Sequence, residues 1–224
     1  GLVELKADGS PLLDANNEPI PTYDQDDIKQ FARVFTGWTY ANPDGSPITK
    51  KNGVYYGADM GVFPGTATTG HDTDAKTLLN GATLPAGQTA EKDLADAVHN
   101  VFVHPNTGPF VSKLLIQRLV TGNPSDAYVG RIAAKFANNG SGVRGDLKAV
   151  VRAILLDPEA RGPAKSDPAF GSLREPVLMV TGLVRALNGV TDGAALGDRT
   201  STIGQRPYFA PTVFNYFQPD ETIP

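Results

Sequence analysis

The 224-residue chain is 40% hydrophobic and 20% charged, enough apolar material for a packed core and too much for a disordered chain. Its 24 Gly and 18 Pro put much of the backbone into turns and irregular loops, and its net charge of −4 lacks the basic field of a nucleic-acid binder. The absence of Cys excludes disulfides, thiolate nucleophiles and Cys-ligated zinc, and no apolar run approaches the roughly 20 residues that span a bilayer.

In chain order, residues 1–23 read as a β-hairpin. Leu2, Val3 and Leu5 lead to the turn pair Asp8-Gly9, and Asn16-Asn17 marks a second turn before Pro19 and Pro21. Asp24 sits at a helix N-cap position, with Asp26 and Asp27 in the first turn, where negative charge suits the helix dipole. Ile28, Phe31, Ala32 and Phe35 repeat at helical spacing, and Gly37 is the stop.

Residues 38–90 form a loop-rich lobe. Val54-Tyr55-Tyr56 is at most a short strand, and His71-Asp72-Thr73-Asp74 precedes a short helix expected over 75–79 and closed by Gly81. A connection this long with so little regular structure is often a functional loop or a lid.

Residues 90–188 read as helices. Leu94, Ala97, Val98, Val101 and Phe102 form the stripe of the first. His104-Pro105-Asn106 separates it from the next, which is apolar around most of its girth (Phe110, Val111, Leu114, Leu115, Ile116, Leu119, Val120) and is therefore expected to be central. Ser125 caps a third with Tyr128, Val129, Ile132, Ala133 and Phe136 inward, and Leu147, Val150, Val151, Ile154 and Leu155 mark a fourth that stops at Asp157-Pro158. After a Pro/Ala/Gly-rich linker, Ser172 and Glu175 form a capping box with Pro176 in the first turn, and Val177, Val180, Leu183, Val184 and Leu187 complete the helix. Residues 190–224 read as coil, and the helix patterns show no repeat of fixed period.

The fold expected is mainly α: five or six packed helices, a small N-terminal β-hairpin and long irregular loops, in a single domain over 1–224. A start at Gly1 without an initiator Met and a stop in a Pro-rich tail are what a fragment of a longer protein would show, with any targeting segment outside it.

Several stretches carry a family resemblance. They are Ile20-Pro-Thr-Tyr-Asp-Gln-Asp-Asp-Ile28, Ala32-Arg-Val-Phe-Thr-Gly-Trp-Thr39, Gly70-His-Asp-Thr-Asp-Ala-Lys-Thr-Leu78, His104-Pro-Asn-Thr-Gly-Pro-Phe-Val111 and Gln117-Arg-Leu-Val-Thr121. Further along come Gly142-Val-Arg-Gly-Asp-Leu-Lys-Ala-Val150, Ile154-Leu-Leu-Asp-Pro-Glu-Ala-Arg161, Leu173-Arg-Glu-Pro-Val177 and Pro211-Thr-Val-Phe-Asn215. Together, in this order over nearly the whole chain, they resemble the bacterial domain-of-unknown-function family numbered 1800. The one departure, Asn16-Asn17 where that family leads one to expect Asn-Gly, is mild because Asn tolerates positive φ. The resemblance implies the C-terminal portion of a larger bacterial protein, exported to the periplasm or beyond. It also implies a partner at the envelope or from a neighbouring gene of a sulfatase-like family. It implies no activity, cofactor or catalytic residue.

Three constellations can carry chemistry. His71, Asp72, Asp74 and Lys76 combine imidazole and carboxylates in a loop, which suits a metal (His71, Asp72, Asp74) or a base with its orienter. The structural alternative is that Asp72 caps a helix and His71 packs nearby. Arg118 falls on the face of Val111, Leu114 and Leu115, so it needs a partner such as Glu175 in a buried ion pair, or it binds an anion. Trp38, Tyr40, Tyr55 and Tyr56 are aromatics in Gly-rich loops, which stack on sugars or form a small core under the loops. There is no Gly-x-Ser-x-Gly, His-Glu-x-x-His or Walker loop, and Asp14-Ala-Asn16-Asn17-Glu18 fails as a calcium loop because Pro19 stands where Gly is required.

Three functions follow as expectations. The first is a binding or assembly role at the cell envelope. The second is a hydrolase with a metal or anion site near His71, Asp72, Lys76 and Arg118. The third is a carbohydrate surface at Trp38, Tyr55 and Tyr56.

Overall fold

The computed structural model describes residues 3–46, 56–63, 65, 70–199, 202–206, 209–212 and 216–218. The chain is mainly α, with α1 (Gln25–Val34), α2 (Ala90–Val103), α3 (Thr107–Leu119), α4 (Asp126–Ala137), α5 (Leu147–Leu156), α6 (Pro158–Arg161), α7 (Pro176–Ala186) and α8 (Ala194–Arg199). Four two-residue strands pair antiparallel, β1 (Trp38–Thr39) with β2 (Gly61–Val62) and β3 (Lys76–Thr77) with β4 (Thr83–Leu84). Two compact units result: residues 1–6 with 10–107, and residues 7–9 with 108–224. The loop-rich lobe belongs to the first.

In the first unit, the expected hairpin is three short extended segments joined by single bridges, Val3↔Pro21, Leu5↔Pro11 and Leu13↔Pro19. Each bridge contains a Pro, which has no N–H to extend a ladder. The segments close on each other in a ring: Leu12 N donates to Glu4 O (2.8 Å), Ile20 N to Leu12 O (3.0 Å) and Glu4 N to Ile20 O (2.7 Å). Residues 4, 12 and 20 are evenly spaced, so this piece has a short repeat that helix patterns cannot reveal. Asn106 pins it, with Oδ1 accepting from Leu5 N (2.8 Å) and Nδ2 donating to Val3 O (2.9 Å).

Asp24 caps α1 as expected, in a reciprocal box with Asp27. The helix is rotated from its expected stripe. Val34 is buried beside Phe31 in a small core with Leu78, Leu84 and Ala97, while Ile28 and Phe35 are exposed. The rotation lets Arg33 reach across the loops. α2 turns inward through Ala90, Asp93 and Ala97, leaving Val98, Val101 and Phe102 exposed. The helix expected over 75–79 is instead β3, followed by a 3₁₀ turn over Leu79–Gly81.

The second unit is centred on α4 and α5. Tyr128, Val129, Ile132, Phe136, Val150 and Ile154 form its core with Ile116 of α3, as the periodicity of α4 and α5 requires. The Tyr128 hydroxyl donates to Ile154 O at 2.7 Å, and burial pushes its pKa up to about 12, so it stays a donor. Arg131 of α4 grips Asp157, which caps α6, with two bonds of 2.8 and 2.7 Å. The turn Ala7–Gly9 packs here, where a Cβ on Gly130 would lie 3.0 Å from the Asp8 backbone.

α3 is less central than its composition predicts: Gly108, Pro109, Ser112 and Gln117 are buried with Ile116, whereas Phe110, Leu114 and Leu119 are exposed. Small residues win that face because they allow close approach to α4. The Gly108 Cβ position is 3.4 Å from Phe136. α7 starts at Pro176 after Glu175, with no side-chain cap, so Ser172 and Glu175 do not form the expected box. The tail expected as coil contains α8.

Candidate functional site

The first unit gathers the polar residues singled out in the loop lobe. α1 ends in Thr36-Gly37, and Gly37 has φ +80° because the chain must pass His71 closely: a Cβ here would lie 2.6 Å from the His71 nitrogen. Asp72 N donates to Thr36 Oγ1 at 2.8 Å, docking the His71-Asp72 loop on the end of α1. β3 then carries Lys76 inward, and the first turns of α2 bring Asp93 to meet it.

Asp93 is the hub. Its side chain is 1% exposed. Oδ2 accepts from Lys76 Nζ at 2.7 Å and faces His71 Nε2 at 3.0 Å, and Oδ1 accepts from Gln88 Nε2 at 2.6 Å. Lys76, 2% exposed, uses its other two protons on the carbonyls of Asp72 (2.5 Å) and Asp74 (3.0 Å). The ammonium is thereby fully satisfied. Burial alone would raise the Asp93 pKa, but the bonds from Lys76, Gln88 and His71 outweigh it and hold the carboxyl below its ordinary value.

His71 Nδ1 lies 3.1 Å from Thr36 O. Nδ1 also lies 3.5 Å from Thr36 Oγ1, so both ring nitrogens have protein partners. A base with an orienter needs one nitrogen free for substrate, and His71 has none.

Asp72 does not cap a helix. It takes the Arg33 fork, Nε to Oδ2 at 2.7 Å and Nη2 to Oδ1 at 3.0 Å, and accepts from Asp74 N at 2.9 Å. The Arg33 hydrogen bonds lower its pKa from 3.8 to about 2. His71 and Asp72 thus turn to separate partners, Asp74 is exposed, and among the described residues no three His, Asp or Glu side chains are grouped to hold a metal.

The other candidates stand apart from this network. Trp38 is half-buried in β1 opposite Val62, with Nε1 enclosed and without a hydrogen-bond partner among the described residues. Tyr40 and Tyr56 meet edge-on at 5.5 Å, with Tyr56 81% exposed. Tyr55 lies outside the described residues. Arg118 belongs to the second unit and is exposed rather than buried. The buried pair with Glu175 does not form; the Glu175 carboxylate instead accepts from Gln205 Nε2 at 2.7 Å.

Sequence reasoning found His71, Asp72 and Lys76 but missed Asp93, Arg33, Thr36 and Gln88. Asp93 had one readable signal, an acid in helical phase with Ala90 and Ala97. The model of a family described as "Protein of unknown function (DUF1800)" matches residues 12–222. No curated protein and no solved structure matches the chain.

Proposed function

The chain belongs to the DUF1800 family of proteins of unknown function, and on that premise we propose that it is a binding or assembly component of the bacterial cell envelope, acting after export, with α7 as its contact surface. The observation that carries this reading is the apolar face of α7. Met179, Leu183 and Leu187, four residues apart along one side of the helix, are all exposed, Leu183 by 60% and Leu187 by 73%, and the helix has no buried residue. Val177, Val180 and Val184, on the adjoining side, are half-buried. An apolar face of this kind marks an association site when it is not a folding defect.

The loop lobe supports the same reading over a hydrolase. A hydrolase site at His71, Asp72 and Lys76 needs an open base, carboxylate or amine, and each of these groups already has protein partners. The partner proposed for α7 is an envelope protein or the product of a neighbouring gene. The test is photo-crosslinking in cells from a photoreactive residue at Leu183. It should give one discrete adduct that the same residue at exposed Lys113 of α3 does not.

A further inference from the structure

The second unit contains a groove of about 340 Å³ between the end of α3 and the start of α7, near the lower end of the roughly 300–1,000 Å³ of small-ligand sites. Its frame is well tied. Thr121 Oγ1 accepts from Gly171 N at 2.9 Å, Gly122 N donates to Gly171 O at 2.7 Å, and Gln117 Nε2 donates to Gly122 O at 3.0 Å. These bonds hold the segment carrying Arg174 beside the segment carrying Arg118.

Arg118 and Arg174 both line the groove, and neither has a hydrogen bond or ion pair among the described residues. The one carboxylate in the wall, Glu175, is engaged by Gln205, itself buried and anchored by accepting from Val177 N at 2.7 Å. Among the described lining residues, two guanidinium groups against one carboxylate leave a single positive charge uncompensated. This occurs on a chain whose net charge is −4. Leu178 and Phe217 supply an apolar wall.

We propose that this groove binds a monocarboxylate with a short apolar body. The carboxylate lies between Arg118 and Arg174, whose planar forks match it in pairs of hydrogen bonds, and the body rests on Leu178 and Phe217. One uncompensated charge matches a monoanion and not a phosphate dianion. The inference goes beyond the role of α7 and does not depend on that helix having a partner.

The test is isothermal titration of the full chain with 3-phenylpropanoate, its neutral analogue 3-phenylpropanol, and phenyl phosphate. Saturable binding of 3-phenylpropanoate, no binding of the alcohol and weaker binding of phenyl phosphate are expected. Arg118→Gln and Arg174→Gln should each weaken 3-phenylpropanoate at least about tenfold, the scale of one charge-assisted hydrogen bond, with melting temperatures unchanged because both side chains are exposed. The Leu183→Glu/Leu187→Glu variant should bind as wild type does, which separates this site from the α7 surface. Absence of saturation, wild-type affinity in either Arg variant, or tighter binding of phenyl phosphate would overturn the proposal.

Discussion

Lys76 and Asp93 form a buried pair whose charges have no access to water, and their value to the protein depends on both being present. Removing one leaves the other unpaired in a low-dielectric interior, which costs about 3–5 kcal/mol. Lys76→Met is therefore expected to lower unfolding free energy by about that much in urea titration, with the secondary structure of α4 and α5 retained until the transition. The Arg33–Asp72 pair has a different signature. The folded pKa of Asp72 is about 2 against an ordinary 3.8, so its contribution is complete above 3.8 and is lost as pH falls through about 2. The magnitude is about 2 kcal/mol. Stability should fall with acid in that window, and Arg33→Gln, which lets Asp72 titrate normally, should flatten the fall. An identical slope in the variant would contradict the assignment. His71, Asp72 and Lys76 were visible in the sequence as a polar cluster because they are neighbours in the chain. Their partners were not, because Arg33, Thr36 and Asp93 arrive from α1 and α2, and what a loop His does depends on which elements fold over it.

Helix patterns were readable where one apolar face meets one core. In α4, Tyr128, Val129, Ile132, Ala133 and Phe136 are all buried, as their spacing predicts, and Val150 and Ile154 do the same in α5. The faces of α1, α2 and α7 were misjudged for different physical reasons. α1 turns Phe31 and Val34 onto Leu78, Leu84 and Ala97, and α2 turns Ala90, Asp93 and Ala97 inward, so each buries a smaller apolar face than its full stripe. In α7 the apolar residues encircle the helix, and periodicity cannot say which side meets the protein. Point substitutions should separate these cases. Ile154→Ala, in the core, is expected to cost about 2–5 kcal/mol. The double change Leu183→Glu/Leu187→Glu, on an exposed face, should stay within about 1 kcal/mol of wild type, about 0.5 for each site. A large loss in the double variant, measured by urea unfolding, would mean that the two leucines belong to the core.

At the scale of the whole molecule, the mainly α class with small β pieces and long loops was legible from composition and period. The two-unit organisation was not, since no linker of distinct composition divides the chain at residue 107, and neither was the ring of segments at residues 4, 12 and 20, whose repeat is built from turns and prolines. In the proposed function, the loop-lobe network holds the fold and the exposed leucines of α7 meet a partner. That division is tested most directly by the yield of the crosslinked adduct from position 183 in cells, compared between the otherwise natural chain and one carrying Leu187→Glu. The account predicts one discrete adduct in the first and its loss in the second, at equal protein levels. No adduct above that from Lys113, or an adduct unchanged by Leu187→Glu, would contradict it.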